Sequence, residues 1–461
     1  MDFKNKKIGI LGLGEENTAL VKYLASKKAI VTICDQKERE ELGTYLSQIE
    51  GLDFDLQLGA GYPDDLKNFD IIFRTPGLPY LDPKIQEAKK AGVEITSQIK
   101  LFMELCPSPI LGVTGTKGKG TTATLISEIL AGKSEIRNPK SETKHRNVYL
   151  GGNIGTPPIT FLDKLSKNDL VVLELSSFQL QDLKKSPHIA VVLDIKSDHL
   201  DYHSGRNEYV EAKKTIVEHQ TEKDFAVINA DYLTSFEFAV ATSGQSYFFS
   251  LRKSVDLGAF RQKDKIILRT AEKDIEIIDI SKIQLRGEHN LENICAAIAA
   301  SYLAGADIEA IKDGVKNFKG LEHRLELVAE QNGTKFYNDS FSTTPDTTIA
   351  AIRSFPEPII LLLGGSEKNA DYSELAKVIS EGSTKMIIPI GLTADRIIKE
   401  VNNPAIKIID AVLSMKEAVM NAKESASAGD IVLLSPASAS FDRYKNYKER
   451  GNIFKEFVKS Q

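Results

Sequence analysis

Cysteine is scarce: three in 461 residues, Cys34, Cys106 and Cys295, odd in number and far apart. That excludes a disulfide framework, gives no zinc spacing, and suits a reducing compartment. A basic excess is also missing. The chain has 59 Lys and Arg against 64 Asp and Glu, a net charge of −5, so no general positive field draws nucleic acid or an anionic membrane surface. No apolar run approaches the roughly 18–20 residues that span a bilayer. The opening "MDFKNKKIGILGLG" runs straight into a glycine turn, without the long apolar region and small-residue cleavage site of a secretory signal. Internal repeats and low-complexity tracts are absent. These absences predict a cytoplasmic protein with no nucleic-acid partner and no membrane insertion. Its length is too great for one core. Small anionic substrates must then be met by local basic groups and backbone N–H donors.

The patterning is α/β. "KIGILGLG" and "AIVTICD" read as buried strands around a helical "NTALVKYLASKK", and "FDIIFRTPGLP" runs from a strand into a Pro/Gly loop. This βαβ order implies a parallel sheet. After "CPSP" at 106–109 a second α/β series begins with "ILGVTGTKGKG" and continues through "DLVVLELSS", "IAVVLDI" and "FAVIN". Residues 246–280, with short strands and turns, suggest a small antiparallel insertion, and a helix follows from about Leu291 to Ala304. The charged segment 133–147 reads as an exposed loop. A third βα series fills the last 140 residues or so. Three domains are expected: a Rossmann-like N-terminal domain over 1–107, a central P-loop ATPase-type mononucleotide-binding domain over 108–319, and a Rossmann-like C-terminal domain over 320–461.

"GTKGKGTT" places Gly115, Thr116, Lys117, Gly118, Lys119, Gly120 and Thr121 between a strand and a helix. Backbone N–H groups at a helix N-terminus favour phosphate, glycines let the backbone wrap it, and Lys119 can neutralise its charge. The strict phosphate-loop pattern ends in Ser or Thr where this chain has Gly120, which leaves Thr121 as the next hydroxyl for magnesium. Glu174 ends the strand "LVVLE", where open sheets place ligand groups, and a carboxylate there is a suitable hard ligand for Mg²⁺. "GLGEENT" resembles a dinucleotide fingerprint with Asn17 in place of its third glycine. Taken alone, it and Asp35 invite an NAD reading. Lys213, by composition, reads as a solvated lysine on a helix face.

The phosphate loop is followed in order by "YLGGNIGTPP", "VLELSSFQL", "SDHLDYH", "YVEAKKT", "GEHNLENICAA", "GLEHRLE", "FYNDS", "LLLGGSEKNADY" and "LLSPASASFDRYKNYKERG". Together these blocks resemble the Mur ligases, three-domain ATP-dependent amide ligases of peptidoglycan precursor synthesis, from near residue 10 to near 452. The related folylpolyglutamate synthases carry a GKG-type loop, which gives Gly120 a precedent.

The resemblance implies a reaction in which ATP activates the L-alanyl carboxylate of UDP-MurNAc-L-Ala for attack by D-glutamate. It assigns two Mg²⁺ sites to Thr121, Glu174, His199 and a carbamylated Lys213, with Lys119 on the phosphates. It places Asn290, Asn293, Arg324 and Asp339 with ATP. Gly14, Glu15, Glu16, Asp35, Gln36, Thr75 and Gly77 fall to the UDP portion, and Asn153, Ser176 and Gln179 to the sugar-peptide end. Thr343, Lys368, Ser440 and Tyr447 fall to the incoming amino acid, in a C-terminal domain that closes on ATP. Two departures, Phe341 where the family often has lysine and Tyr447 where it has phenylalanine, leave the enantiomer of that amino acid open. A related ligase with another amino acid, L-glutamate included, or another acceptor is the alternative. A monomer is expected.

Overall fold

The computed structural model describes residues 2–60, 65–132, 147–181, 183–196, 205–367, 369–410 and 412–460. The segment read as an exposed loop therefore lies, but for Asn147, outside the described residues. Among the described residues the strands form three sheets.

The first sheet holds β1 (Lys7–Leu11), β2 (Ile30–Asp35), β3 (Asp55–Leu58), β4 (Ile71–Arg74) and β5 (Glu94–Thr96), all parallel, in the order β3-β2-β1-β4-β5. β1 and β2 bury every residue after the first, and β4 buries all four. Strands covered by crossover helices on both faces require such continuous apolar runs. The order reverses between β1 and β4, so the loops after them leave the sheet as neighbours. Gly12, at φ 85°, permits that approach: a Cβ on it would stand 2.8 Å from Thr75 Cγ2. This carboxyl-end crevice is where open parallel sheets take ligands.

The second sheet holds β6 (Ile110–Thr114), β7 (Val148–Gly152), β8 (Leu170–Glu174), β9 (Ile189–Val192), β10 (Phe225–Asn229), β11 (Gln245–Ser250), β12 (Gly258–Gln262), β13 (Lys265–Arg269) and β14 (Asp274–Asp279). Their order, β14-β13-β12-β11-β10-β9-β6-β8-β7, puts the phosphate-loop strand β6 between β8 and β9. Residues 246–280, expected as a small antiparallel insertion, are antiparallel only in part. β11 pairs in parallel with β10 and β12 in parallel with β11, and only β12, β13 and β14 run antiparallel. The stretch extends the edge of the main sheet. Short strands between turns look alike in sequence whether they found a sheet or lengthen one, because the pairing partner is remote.

One apolar cluster runs through both sheets, from Ile10 and Phe73 to Phe102, Phe161 and Leu173. Phe102 meets Phe161 edge-on at 5.5 Å between ring centres. Accordingly Met1–Ser281 and Glu292–Val315 form one compact unit, and Lys282–Leu291 with Lys316–Gln461 form a second.

The second unit carries β15 (Glu326–Gln331), β16 (Thr334–Asn338), β17 (Ile359–Leu363), β18 (Thr384–Pro389), β19 (Lys407–Ile408) and β20 (Ile431–Leu434) in the order β15-β16-β20-β17-β18-β19. β15 and β16 are an antiparallel pair; the other pairs are parallel. The run "IILLL" of β17 supplies both faces of this sheet. Ile359, Leu361 and Leu363 join one core cluster, and Ile360 and Leu362 the opposite one. That is the two-residue period of a strand buried on both sides. Among the described residues no helix is long and apolar enough to cross a membrane.

Candidate active site

The phosphate loop leaves β6 and enters the helix Lys119–Ala131 through Gly118, which takes a left-handed φ of 87°. A Cβ at Gly118 would also collide with Asn293 Oδ1. Glycine is thus required twice, by backbone conformation and by close approach. Asn293 Oδ1 accepts from Thr122 Oγ1 at 3.3 Å, which ties the helix Glu288–Leu303 to the loop's own helix. Lys119 Nζ donates to the carbonyls of Gly115 and Thr116, both at 3.2 Å, and stands 3.9 Å from Glu174 Oε1. Gly115 and Gly120 are buried, and Lys117 is exposed.

Glu174 is brought here by register, since β8 pairs with β6 and Val113 faces Glu174. The residue is 4% exposed. Oε1 accepts from Asn153 Nδ2 at 3.3 Å, whereas Oε2 is buried with no hydrogen-bond partner among the described residues. A buried acceptor left in that state costs stability. A hard oxygen-seeking cation such as Mg²⁺ would satisfy it, so the donor chemistry fits the expected metal.

The two candidate loop hydroxyls differ. Thr116 Oγ1 is within 3.1 Å of both the Lys196 carbonyl and the Tyr209 hydroxyl, and accepts from Lys196 N at 2.8 Å. It is committed to holding the loop. Thr121, in the first turn of the helix, is 7% exposed. Lys213, on the helix Arg206–Glu218, is not a solvated lysine: it is 2% exposed. Its Nζ donates to Gly115 O at 3.1 Å and to Thr114 Oγ1 at 3.4 Å, at the root of the phosphate loop. Lys214, 100° further round the helix, pairs instead with Glu211 at 3.1 Å. His199 lies outside the described residues, and among those described no three His, Cys, Asp or Glu side chains converge as a metal cluster.

At the first sheet, Gly14 caps the helix Glu15–Ser26 without a side chain. Asp35 braces the glycine turn through Oδ2, which accepts from Leu13 N at 2.7 Å, while Oδ1 accepts from Lys37 N at 3.0 Å. Asn17, where a fingerprint would have glycine, is 1% exposed and donates to Gly12 O at 2.7 Å, so it braces the turn from beneath. Gln36 and Gly77 are exposed at the rim, and Thr75 is half-buried, its N–H bonded to Leu11 O at 2.9 Å. Ser176 opens the helix Ser177–Leu180 with a capping box, reciprocated by Gln179. Gln179 Nε2 then reaches Glu16 Oε1 at 2.8 Å, which links the second sheet's loop to the first sheet's helix. Burial lifts the Glu16 carboxyl to about 7.

In the second unit, Asp339 follows β16 and is 5% exposed. Its Oδ2 accepts from the hydroxyls of Ser342 and Ser435, and Oδ1 from Leu325 N at 3.2 Å. Burial still raises it to about 6. The Arg324 guanidinium stacks on the Phe341 ring with its carbon 3.7 Å from the ring centre, and Tyr447 meets that ring edge-on at 5.1 Å. Phe341 therefore serves as a platform for a cation rather than supplying one. Thr343 is half-buried, Ser440 is 1% exposed, and Asn290 Nδ2 donates to Arg286 O at 2.7 Å. Lys368 lies outside the described residues.

Family models match in the order of the sheets: "Mur ligase MurD-like, N-terminal domain" over residues 6–97, "Mur ligase middle domain" over 113–301, and "Mur ligase, glutamate ligase domain" over 323–438. A UDP-N-acetylmuramoylalanine--D-glutamate ligase of Acetivibrio thermocellus is 42% identical over 464 aligned positions, covering 99% of this chain and 97% of the relative. One from Symbiobacterium thermophilum is 41% identical, covering 99% and 98%. The chain belongs to the Mur ligase family. A crystal structure of MurF from Acinetobacter baumannii, 16% identical, overlays with a TM-score of 0.63 over 98% of this chain and 93% of that one, a likeness of fold. The α/β architecture of N-terminal, middle and C-terminal domains is the Mur ligase fold.

Within this Mur ligase, Arg450 holds a place that its local sequence does not mark. It is 1% exposed. Nε donates to Ser340 Oγ at 3.0 Å, one terminal nitrogen to the carbonyls of Ser438 and Ala439 at 3.1 and 3.2 Å, and the other to Ser340 O at 2.9 Å. Burial lowers it to about 10. One guanidinium thus pins the loops after β16 and β20, which carry Thr343 and Ser440. In "YKNYKERG" it looks like one more charge on a solvated helix. Nothing local marks it, because the carbonyls that hold it come from residues 340, 438 and 439.

Proposed function

We propose that this Mur ligase joins D-glutamate to UDP-MurNAc-L-Ala, using ATP and Mg²⁺ and releasing ADP and phosphate, in peptidoglycan precursor synthesis. The observation that carries this reading is identity above 40% along nearly the whole chain to ligases named for that reaction. The alanyl carboxylate attacks the γ-phosphorus of ATP, and the bond to the β–γ bridging oxygen breaks. The glutamate amine then attacks the acyl phosphate at its carbonyl carbon, and the tetrahedral intermediate expels phosphate to leave the amide. A free carboxylate is a poor electrophile, so the first step supplies the leaving group.

Lys119 and the N–H groups of the Gly115–Thr121 loop hold phosphoryl charge as it moves. Thr121, Glu174, His199 and a carbamylated Lys213 would hold two Mg²⁺ ions, which supply further neutralisation when bound. Support for the metal reading comes from the unpartnered Oε2 of Glu174. For Lys213 it comes from a position at the loop root rather than in solvent. Asn290, Asn293, Arg324 and Asp339 are the residues assigned to the nucleotide. The loops after β1 and β4, with Asp35 and Gln36, hold UDP, while Asn153, Ser176 and Gln179 hold the sugar-peptide end. Thr343, Lys368, Ser440 and Tyr447 hold the glutamate. A monomeric enzyme of the cytoplasm is part of this proposal.

Phosphate release from UDP-MurNAc-L-Ala and ATP tests the reading, with D- or L-glutamate added. Release with the D form alone is expected, lowered roughly 100-fold or more by Lys213→Ala and left nearly whole by Lys214→Ala. Release with L-glutamate alone, or with neither, would overturn it.

A further inference from the structure

We infer that the Glu16 carboxylate is a positioning residue for the acceptor substrate: it fixes the side-chain amide of Gln179, and with it the Ser176 turn, in the orientation that meets the sugar-peptide end. The inference rests on the reading of Ser176 and Gln179 as substrate handles.

Gln179 is 1% exposed, so its amide has few partners to choose among. Oε1 accepts from Ser176 N at 3.0 Å and from Ser176 Oγ at 3.2 Å, while Ser176 Oγ accepts in turn from Gln179 N at 3.3 Å. This closes a small ring of bonds at the turn after β8. The ring forms in one direction only if Nε2 faces away from it and finds an acceptor. Glu16 Oε1, 2.8 Å away, is that acceptor. An amide turned over would set its oxygen against the carboxylate and its NH₂ against the Ser176 N–H, two repulsive contacts in place of two bonds, since the Ser176 hydroxyl can partner either end of the amide.

The position is costly for an acid. Glu16 sits in the first turn of its helix beside Glu15, and burial lifts its carboxyl to about 7. A group that burial disfavours is kept in place here by one directional bond to a residue 163 positions away on another sheet's loop. Gly14, the cap residue, offers no side-chain acceptor in its stead. The turn on the second sheet is therefore oriented from the first, next to the crevice that is read as holding UDP.

Steady-state kinetics and calorimetric binding of UDP-MurNAc-L-Ala to the full chain test this. Glu16→Ala should raise KM and Kd for that substrate about ten-fold, with kcat and the KM values for ATP and glutamate held within about two-fold. Glu16→Gln, whose side-chain oxygen can still accept from Gln179, should recover most of the affinity. In a double-mutant cycle, Glu16→Ala should add nothing to the loss caused by Gln179→Ala. A tie that is only structural would lower Tm and shift every constant together. That result, or additive losses in the cycle, or unchanged binding by Glu16→Ala, would overturn the inference while leaving the ligase reading intact. A parent protein that does not bind UDP-MurNAc-L-Ala would take both down.

Discussion

Asp339 shows how a single residue trades stability for a charge. An ordinary aspartate titrates near 3.8, and burial raises this one to about 6 against the pull of two serine hydroxyls, the Leu325 N–H and the Arg324 charge. The folded value lies above the unfolded one, so the linked stabilisation is fully present below about pH 4 and is lost as pH rises through about 6. Asp339→Asn keeps the shape without the charge. It should be the more stable protein above pH 6, by on the order of 2 kcal/mol, and the gap should close toward pH 4. Melting curves of parent and variant across that range are the check. An Asn variant less stable at every pH would mean that the serines and Arg324 hold the carboxylate charged. The same variant should lose ligase turnover if Asp339 serves the nucleotide, since stability and function pull apart at such positions.

At the scale of an element, the helix Tyr447–Lys459 does more than cover its sheet. Asn446 caps it through Glu449 N at 3.0 Å, and Tyr447 O accepts from Ser340 Oγ at 2.8 Å. Gly451 lets it pass against His323, whose Nδ1 a Cβ there would strike, and His323 precedes the Arg324 turn. Arg450, between them, spends its donors on two loops. Lysine keeps the charge but not the planar fork. Arg450→Lys should therefore raise the KM for glutamate roughly ten-fold and lower stability by about 1–3 kcal/mol. The KM for UDP-MurNAc-L-Ala, whose proposed handles lie in the other unit, should stay put. Glutamate kinetics matching the parent would show that the fork is not what sets these loops.

The whole molecule is two compact units, and this has a thermodynamic consequence. The residues proposed for UDP-MurNAc-L-Ala all belong to the unit formed by Met1–Ser281 and Glu292–Val315. A ligand bound to the native form of one unit stabilises that unit by mass action, by about 2.7 kcal/mol at a hundred times its Kd. Differential scanning calorimetry should show two transitions, of which the UDP-substrate raises one and leaves the other in place. A single transition would mean that the units unfold together, and equal shifts in both would mean that the ligand stabilises the two alike.

Local sequence was enough for what depends on local chemistry. The alternation of buried runs with helical stretches marked the α/β class, since a strand covered on both faces must be apolar throughout. The glycine turn at Gly118 before Lys119 marked the passage from strand to helix, because a left-handed cap needs only a few consecutive residues. Lys213 could not be read that way. On its helix it is spaced like any surface lysine, and only the pairing of β6 with β9 and the packing of that helix on the loop place it at 2% exposure. Residues 246–280 gave up their strands but not their partners, since pairing depends on a sheet edge built elsewhere in the chain. Arg450 and the Glu16–Gln179 bond were illegible for the same reason. The energy of a buried guanidinium or a buried carboxylate depends on which remote carbonyls and amides surround it, and only the folded chain brings those together.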